Sequence, residues 1–484
     1  MSSDNPKWLV FFLVATGVFF ATMDSSMVNI ALPAIMAEFQ SPLAHTQAVV
    51  LIYLLTTSAT MLFWGHVSHD LGREKIYIIG LLIFALGSFL CSQAGSLSVM
   101  LFLRFIQGLG AAMMMANGPA MLKMAFGPDQ LGRSLGLMGI ITSLGLMTGP
   151  ALGGFLIEYF SWRTLFLLPA PICLTVGGLA RIFLRPQPGP EASGQPFDWL
   201  GGLWWVCLLT AATYTLSHAA APHTSMLQLI SGCGLSGLFL FFFLRRQGML
   251  AHLPPGGDEQ PRAIIPAILF QEKSLVIAVA TAALIFLCLF SVLILTPFYL
   301  DRVLQLPATQ IGLIMLAIPV TALVTAPLAG WLADYSEARI VATCGLIICS
   351  CGLYAFTTLS TTTPPWLVAG RLGFLGVGVS LFLSPNSASA LRAIGEPYIG
   401  TVAALLATAR TLGMLLGIAL AGLSFALFFS HLSGGLDMKD YSAAQAENFV
   451  RALHYSYFCF LAIGLLAVIL SASRPVPEKG LKGD

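Results

Sequence analysis

The sequence predicts an all-α polytopic membrane protein, and three observations lead to this fold class. Of the 484 residues, 57% are hydrophobic and only 9% are charged, with a mean hydropathy of +0.86. Soluble domains carry roughly 25% charged residues. The apolar residues form continuous runs such as Ile76–Leu90 and Leu275–Leu295, which approach or reach the roughly 20 residues that cross a hydrocarbon core. Transmembrane β-strands would instead alternate apolar and polar residues.

Fourteen apolar segments fit the chain as transmembrane helices. Fourteen helices of about 20 residues each need about 280 residues, so most of the connecting loops are short. The predicted spans, numbered 1 to 14, centre near residues 20, 56, 84, 110, 145, 173, 208, 235, 285, 320, 348, 378, 412 and 462.

Basic residues determine the predicted orientation. With the N-terminus in the cytoplasm, 16 of the 23 Lys and Arg residues lie on the cytoplasmic side, four lie on the outer side and three fall inside spans. Cytoplasmic loops of membrane proteins carry such an excess. An even number of spans then places both termini in the cytoplasm. We expect the protein in a bacterial inner membrane.

Two polar loops that contain proline and glycine divide the chain. The predicted parts are a six-helix bundle at 1–185, two extra transmembrane helices with their linker at 186–246, a cytoplasmic loop at 247–271 and a second six-helix bundle at 272–484. Paired six-helix halves with a site between them are typical of secondary transporters.

A weak internal repeat also favours two halves. Gly65–Lys75 follows span 2, and the similar segment Gly330–Arg339 follows span 10. Arg104 in span 4 is matched loosely by Arg371 in span 12.

Asp24 is the only carboxylate predicted to lie deep in a span. An Asp at that depth costs about 2.5–3.5 kcal/mol on insertion scales, so it should face a cavity or a partner. Arg104 is the predicted partner, because helix geometry places the two residues at similar depths of a core about 30 Å thick. The pair is interpreted as a proton-binding site whose protonation depends on the nearby cation. A static ion pair that fixes two helices is the alternative.

Further polar residues fall inside spans. Each of four amides can hydrogen-bond to a neighbouring helix or contact a ligand; they are Asn29, Gln107, Asn117 and Asn386. Arg410 in span 13 has no acidic partner within a span. Both a structural and a functional role stay open for it.

Span 5 carries a regular row of small residues. Gly145, Gly149 and Gly153 recur at every fourth position, with Pro150 inside the row. Small residues allow close helix contact in membranes, and the proline removes one backbone hydrogen bond and bends the helix. Such a helix suits rocking against a neighbour, although static packing explains the spacing equally well.

The sequence lacks the patterns of catalysis and cofactor binding. Nine cysteines are scattered without a CxxC pair, which predicts neither a disulfide nor a metal site. The net charge of +2 argues against nucleic-acid binding. No nucleotide-binding or redox motif is present, so we expect a protein that is not an enzyme, uses no cofactor and is not driven by ATP.

Five motifs in order resemble the major facilitator superfamily and, more narrowly, its fourteen-helix drug:proton antiporter branch of EmrB/QacA-like multidrug exporters. They are MDSSMVNIALP (Met23–Pro33), RFIQGLGAA (Arg104–Ala112), GLMTGPALGG (Gly145–Gly154), FDWLGGL (Phe197–Leu203) and ARTLGMLLG (Ala409–Gly417). The resemblance covers the whole chain. It implies a major facilitator fold of two six-helix bundles plus two extra central helices, with proton coupling by Asp24 and Arg104. The antiporter motif that it implies consists of Gly145, Gly149, Pro150, Gly153 and Gly154.

The loop after span 2 departs from the family pattern Gly-x-x-x-Asp-x-x-Gly-Arg. His69 occupies the Asp position, and Asp70 follows one residue later. The resemblance implies that this loop latches the inward-closed state. Either Asp70 serves in the latch or His69 makes it sensitive to pH, with a solvated loop histidine as the alternative. The predicted gating-loop residues are Gly65, His69, Asp70, Gly72, Arg73 and, in the second half, Asp334.

The resemblance implies proton-driven export by alternating access. Asp24 takes a proton from the outer side, its attraction to Arg104 weakens, and the halves rock to release the proton inside. Substrate leaves in the opposite swing. Proton and substrate act only through different affinities for the two states. A proton-coupled importer of the same fold stays open as an alternative, as does a lipid scramblase or a membrane receptor.

The sequence limits the substrate only broadly. The predicted cavity residues are Asn29, Tyr53, Gln107, Asn117, Phe286, Phe290, Asn386 and Arg410. No second carboxylate is visible in spans 9 to 14, which favours monovalent cationic, zwitterionic or neutral amphipathic small molecules over dications. A dedicated metabolite or siderophore exporter would look the same. We expect a monomeric transport unit in the lipid bilayer, with a periplasmic adaptor protein as an open question.

Overall fold

The computed structural model describes residues 7–126, 131–184, 198–218, 226–251, 268–393, 399–436, 438 and 441–475. Within these ranges, some helical side chains lie outside the description, among them His69, Asp70 and Asp334.

The described residues form helices and no strands. In chain order the helices are α1 Lys7–Phe39, α2 Leu43–Leu71, α3 Arg73–Ser92, α4 Leu97–Phe126, α5 Leu131–Tyr159, α6 Arg163–Leu167, α7 Pro169–Phe183, α8 Trp199–His218, α9 Met226–Ala251, α10 Ile268–Gln271, α11 Lys273–Arg302, α12 Ala308–Met315, α13 Ala317–Tyr335, α14 Ala338–Phe356, α15 Pro365–Arg392, α16 Ile399–Leu432 and α17 Ala446–Ala472, with a short 3-10 helix at Ala443–Gln445. Helices are expected because each satisfies its own backbone hydrogen bonds in lipid.

The helices correspond to the fourteen predicted spans. Thirteen segments of the described chain are long and apolar enough to cross a membrane. The remaining predicted span is α5, which is 29 residues long. Spans 6 and 10 each consist of two consecutive helices, α6 with α7 and α12 with α13. The all-α polytopic prediction is confirmed.

Helix ends coincide with residues that stop or start helices. Gly72 separates α2 from α3 with a φ of 96°, a conformation that glycine adopts without a steric penalty. Pro307 and Pro364 immediately precede α12 and α15. Gly434 and Gly435, which follow α16, also have positive φ.

The helices before α8 and those after α10 pack in the same order. The pairs α1–α5, α3–α4, α2–α4 and α3–α7 have the counterparts α11–α16, α14–α15, α13–α15 and α14–α17. The hairpin of α8 and α9 packs mainly on itself, and α8 also contacts α2 and α16. The architecture is therefore two similar six-span bundles plus a two-helix hairpin beside their junction. The exact domain boundaries stay predictions.

Glycines at equivalent places allow the closest helix contacts in both bundles. A Cβ atom at Gly110 of α4 would lie 2.7 Å from the Gly80 carbonyl oxygen of α3. A Cβ at Gly378 of α15 would lie 2.7 Å from the Gly345 carbonyl oxygen of α14. Close backbone approach through small residues is a main source of helix association in membranes.

The two bundles contact each other at the predicted outer end. Gln47 at the start of α2 packs against Gly422 near the end of α16. Glu158 in the last turn of α5 accepts hydrogen bonds from the backbone nitrogen and the hydroxyl of Thr309 in α12, both at 2.6 Å. These contacts join the bundles at the ends of α5 and α16 that the topology places outside.

We predict that Gly110→Ala lowers the unfolding midpoint of the detergent-solubilised protein. The new methyl group meets backbone atoms of Gly80 and Phe84, and overpacking typically costs about 1–3 kcal/mol. Gly178→Ala in α7 is the matched control, because no described atom lies within 4 Å of its Cβ. The control should gain up to about 1 kcal/mol from helix propensity. Equal midpoints for the two variants would contradict the close-packing explanation.

Candidate functional site

A buried ion pair joins α1 and α4 in the first bundle. Nη1 of Arg104 donates to Oδ2 of Asp24 at 2.6 Å, and both side chains are completely buried. The structure therefore brings together the two residues that the sequence matched by depth.

Hydrogen bonds from neighbouring groups complete the site. Nε2 of Gln107 donates to Oδ1 of Asp24 at 3.1 Å, while its Oε1 accepts from Nη1 of Arg104 at 2.7 Å. Nε of Arg104 donates to the Val49 carbonyl oxygen of α2 at 2.8 Å. Both carboxylate oxygens thus have donors, and the guanidinium has acceptors besides the carboxylate.

Two aromatic rings enclose the guanidinium. Its central carbon lies 4.3 Å from the ring centre of Tyr53 and 5.4 Å from that of Phe166. Cations above aromatic faces gain more when water is excluded. The Tyr53 hydroxyl donates to the Ala21 carbonyl oxygen of α1 at 2.7 Å, which fixes the ring between α1 and α4.

Glycine contacts position the helices that carry the pair. A Cβ at Gly87 of α3 would lie 2.9 Å from the Gln107 Cα, and one at Gly108 would lie 3.0 Å from the Tyr53 carbonyl oxygen. Neither place has room for a side chain, so α4 lies close against both α2 and α3. This close approach lets the Arg104 side chain reach the Asp24 carboxylate on α1.

The chemistry available here is the uptake of one proton by Asp24. In the ionised form the carboxylate balances the guanidinium within a medium that stabilises charge poorly. Arg104 also has contacts that do not involve Asp24, namely hydrogen bonds to Gln107 and Val49 and its aromatic neighbours. A neutral carboxyl group would therefore leave the guanidinium with partners while removing the charge attraction between α1 and α4.

The second bundle repeats the packing without the charges. A Cβ at Gly149 would lie 2.8 Å from the Met23 carbonyl oxygen, and Gly417 contacts the Leu287 carbonyl oxygen in the same way. This register makes Cys288 the counterpart of Asp24.

A second pair of equivalent contacts shows which residues of α15 correspond to which residues of α4. Gly87 faces Gln107, and Gly352 faces Leu375, which makes Leu372 the counterpart of Arg104. The loose match of Arg104 with Arg371 is wrong by one residue, because a short similarity could not fix the helix register.

The antiporter-motif residues of α5 serve two different contacts. A Cβ at Gly145 would lie 2.6 Å from the Phe19 carbonyl oxygen of α1, and Gly149 and Gly153 also face α1. Gly154 instead meets Ala308 and Gly312 of α12, in the other bundle, and the Pro150 carbonyl oxygen faces Gly312. The motif thus packs α5 against α1, the helix that carries Asp24, and against α12 of the other bundle.

The gating-loop prediction is only partly within the described residues. Gly65 lies inside α2, and Gly72 forms the turn into α3. Arg73 approaches the Met124 sulfur of α4 at 3.6 Å. The side chains of His69, Asp70 and Asp334 lie outside the description, so their roles stay predictions.

The predicted cavity residues occupy three kinds of place. Tyr53 and Gln107 belong to the ion-pair site. Phe286 and Phe290 are 3% and 0% exposed and pack in the core, so neither side chain lines an open cavity. The spacing of aromatic residues along a helix cannot distinguish a cavity-lining row from a core-packing one, which explains the difference.

The predicted amides and Arg410 are held by hydrogen bonds. Asn29 and Asn117 donate to carbonyl oxygens of their own helices, and the Oδ1 atom of each has no partner among the described residues. Asn386 donates to the Ala278 carbonyl oxygen at 3.0 Å and accepts from Nη2 of Arg474 at 2.6 Å. Nη2 of Arg410 donates to the Ser387 hydroxyl at 2.7 Å.

Sequence analysis missed a polar cluster at the base of the hairpin. Asp198 is 1% exposed and accepts from Nε of Arg246 at 3.0 Å and Nε2 of Gln247 at 3.3 Å. It also accepts from the Gly201 backbone nitrogen at 3.1 Å, as residues that precede a helix commonly do. The sequence signal was an Asp three residues before a glycine at the start of span 7.

Comparison with known proteins gives a consistent picture. The family model described as Major Facilitator Superfamily matches residues 14–418 and, in a second match, residues 278–483. The riboflavin transporter RibZ of Clostridioides difficile (strain 630) is 30% identical over 466 residues, which cover 96% of this chain and 97% of that protein. The multidrug resistance protein Stp of Mycobacterium tuberculosis (strain ATCC 25618 / H37Rv) is 28% identical over 425 residues. This match covers 86% of this chain and 76% of that protein.

A solved structure shares the fold. The bacterial homologue of the human lysosomal transporter Spinster, in an inward-facing and unoccupied conformation, superimposes with a TM-score of 0.68 over 97% of both chains. The sequence identity is 12%, so this likeness concerns the fold alone.

We predict non-additive effects of substitutions in the ion pair. Asp24→Asn leaves the Arg104 guanidinium buried without its counter-charge, and such a change typically costs about 3–5 kcal/mol. The double variant Asp24→Asn/Arg104→Gln should lose less stability than the sum of the two single variants. Unfolding midpoints of the four proteins in one detergent measure this coupling. Additive losses would show that the two side chains do not stabilise each other.

Proposed function

The chain belongs to the major facilitator superfamily, and we propose that it is a proton-coupled antiporter that exports small amphipathic molecules by alternating access. The family consists of transporters, which confirms that the protein is not an enzyme. It is a multi-pass membrane protein. The direction of transport, the proton coupling and the substrate are our proposals.

The buried Asp24–Arg104 pair is the observation that carries the proposal of proton coupling. In lipid, ionisable groups are rare and mark ion or substrate pathways. A carboxylate with two donors and no exposure changes its contacts when a proton neutralises it. Protonation then weakens the ion pair that joins α1 to its neighbour α4 in the first bundle.

The proposed cycle uses the contacts of α5. Protonation of Asp24 alters how α1 packs, and α1 lies against Gly145, Gly149 and Gly153 of α5. Through Gly154 the same helix contacts α12 of the other bundle. A change at Asp24 therefore reaches the junction of the bundles through one helix. Opening the outer end would break the Glu158–Thr309 contact and admit protons from outside.

Export is supported by the intact motif in α5 and by the similarity to proteins named as multidrug resistance proteins. Within this proposal the substrates are monovalent cationic, zwitterionic or neutral amphipaths. Cytoplasmic termini, a monomeric unit and the absence of any cofactor belong to the same proposal. A periplasmic adaptor partner stays open.

A dedicated metabolite transporter is the second candidate function. The observation that favours it is the 30% identity to a riboflavin transporter over nearly the whole chain. A proton-coupled importer of the same fold, or an exporter of a metabolite or siderophore, would use the same ion pair. Substrate range and the direction of flux separate these candidates from a multidrug exporter.

We predict that flux in proteoliposomes depends on an imposed pH gradient and that Asp24→Asn abolishes this dependence. The amide keeps the shape of the side chain but cannot release a proton. Fluorescent dye and drug transport with and without the gradient measures the effect. Riboflavin flux in both directions tests the second candidate in the same vesicles.

Cys288→Ser is the matched control, since Cys288 occupies the equivalent place in the second bundle. It should retain gradient-driven flux. Gradient-driven flux that survives in Asp24→Asn would overturn the assignment of Asp24 and direct attention to His69 and Asp70.

A further inference from the structure

Arg410 points into the interior of the second bundle. It lies 11 residues after the start of α16 at Ile399, about 16 Å along the helix. Leu412 packs outward against the hairpin cluster around Trp205, while Gly413 packs on α11. Helix geometry turns residue 410 about 160° away from residue 412, towards α15.

The Arg410 side chain faces the interior of the bundle, but it is only half-buried and part of it remains exposed. This exposure lies on the side of α16 opposite the hairpin, where Ser387 of α15 contacts the guanidinium. Ser387, which holds its Nη2, is also half-buried.

Ser387 fixes the orientation of the guanidinium. The serine hydroxyl donates its own proton to the Leu383 carbonyl oxygen at 2.8 Å, so it faces Arg410 as an acceptor. Only one nitrogen of Arg410 is used in this way. Its Nε is buried and has no hydrogen-bond partner among the described residues.

Among the described residues, Arg410 has no ion-pair partner. No ion pair links Arg410 to a carboxylate in the described part of the chain. A guanidinium stays charged at all relevant pH values, and charges within a membrane protein normally pair. Its planar fork of donors matches the two oxygens of a carboxylate or a phosphate.

The buried ion pair of the first bundle is closed to a ligand. Asp24 and Arg104 are completely buried and pair with each other. A cationic substrate would therefore meet a positive side chain and no free carboxylate among the described residues that border the interior.

We propose that Arg410 binds a carboxylate, or a similar single anionic group, of the transported molecule. This inference rests on the proposed transport function. It keeps the zwitterionic amphipaths of that proposal, adds acidic ones and excludes purely cationic and neutral ones. The exposed part of the guanidinium, which Ser387 of α15 orients, would hold the anionic end of the molecule.

Equilibrium binding tests the inference without a proton gradient. Isothermal calorimetry on the full-length protein in detergent compares 2-naphthoate with 2-naphthamide and 2-naphthylmethylammonium, which share one aromatic body. We expect wild type to bind naphthoate about tenfold or more tightly than the amide, as a charged hydrogen bond implies. Arg410→Gln should remove this preference, and Arg410→Lys should keep part of it.

Arg371→Gln is the matched control. Arg371 is also a half-buried arginine in a membrane helix with one unpartnered nitrogen among the described residues, but it lies beside Tyr299 near the outer end of α15. The naphthoate preference should persist in this variant. Because Arg410→Lys keeps the charge, it remains informative if the Gln variant does not fold.

Three results would overturn the proposal. These are tighter binding of the ammonium probe, no tighter binding of naphthoate than of the amide by wild type (including no measurable binding), and a naphthoate preference that survives in Arg410→Gln. Failure of proton coupling would appear separately, as gradient-independent flux in wild type with the naphthoate preference intact.

Discussion

The Asp24–Arg104 ion pair is the constraint on which the first bundle depends. Two charges buried in an apolar protein within lipid are tolerable only if they pair with each other and accept or donate further hydrogen bonds. The bundle supplies these partners from three helices and two aromatic rings. It also leaves no room for side chains at Gly87 and Gly108, which keeps α4 close to its neighbours. This arrangement suits a carboxyl group that gains and loses a proton. When Asp24 is neutral, the hydrogen bonds to Gln107 and Val49 and the two aromatic rings can still hold Arg104.

The two bundles separate scaffold from chemistry. Equivalent glycines bring equivalent helices together in both, as the pairs Gly80–Gly110 and Gly345–Gly378 show. Where the first bundle has Asp24, Arg104 and Gln107, the second has Cys288, Leu372 and Leu375. The buried carboxylate therefore belongs to the first bundle, while in the second Arg410 has no ion-pair partner among the described residues. We infer that proton and substrate act on different bundles and communicate through the junction formed by α5, α12, α2 and α16.

Much of the fold could be predicted from the sequence, because apolar runs long enough to span a membrane leave few alternatives. The approach of Asp24 to Arg104 was also accessible, since counting residues along two helices gives their depths. The register between the two bundles could not be predicted, because the internal repeat is too short to align the helices residue by residue. For this reason Arg371 was matched to Arg104 in place of Leu372. Phe286 and Phe290 illustrate a further limit, since an aromatic row looks the same whether it faces a cavity or a core. Asp198 was missed because the search for charges concentrated on the interiors of spans.

The central claim, that Asp24 takes up a proton, is tested most directly by measuring the protonation state of this residue. Infrared difference spectroscopy of the purified protein in lipid follows the carbonyl band of a protonated carboxyl group as the pH is lowered. The account predicts a band that appears on acidification in wild type and in Cys288→Ser, and that is missing from Asp24→Asn. Identical titrations in wild type and Asp24→Asn would show that Asp24 does not take up the proton, and the ion pair would then be a fixed structural contact.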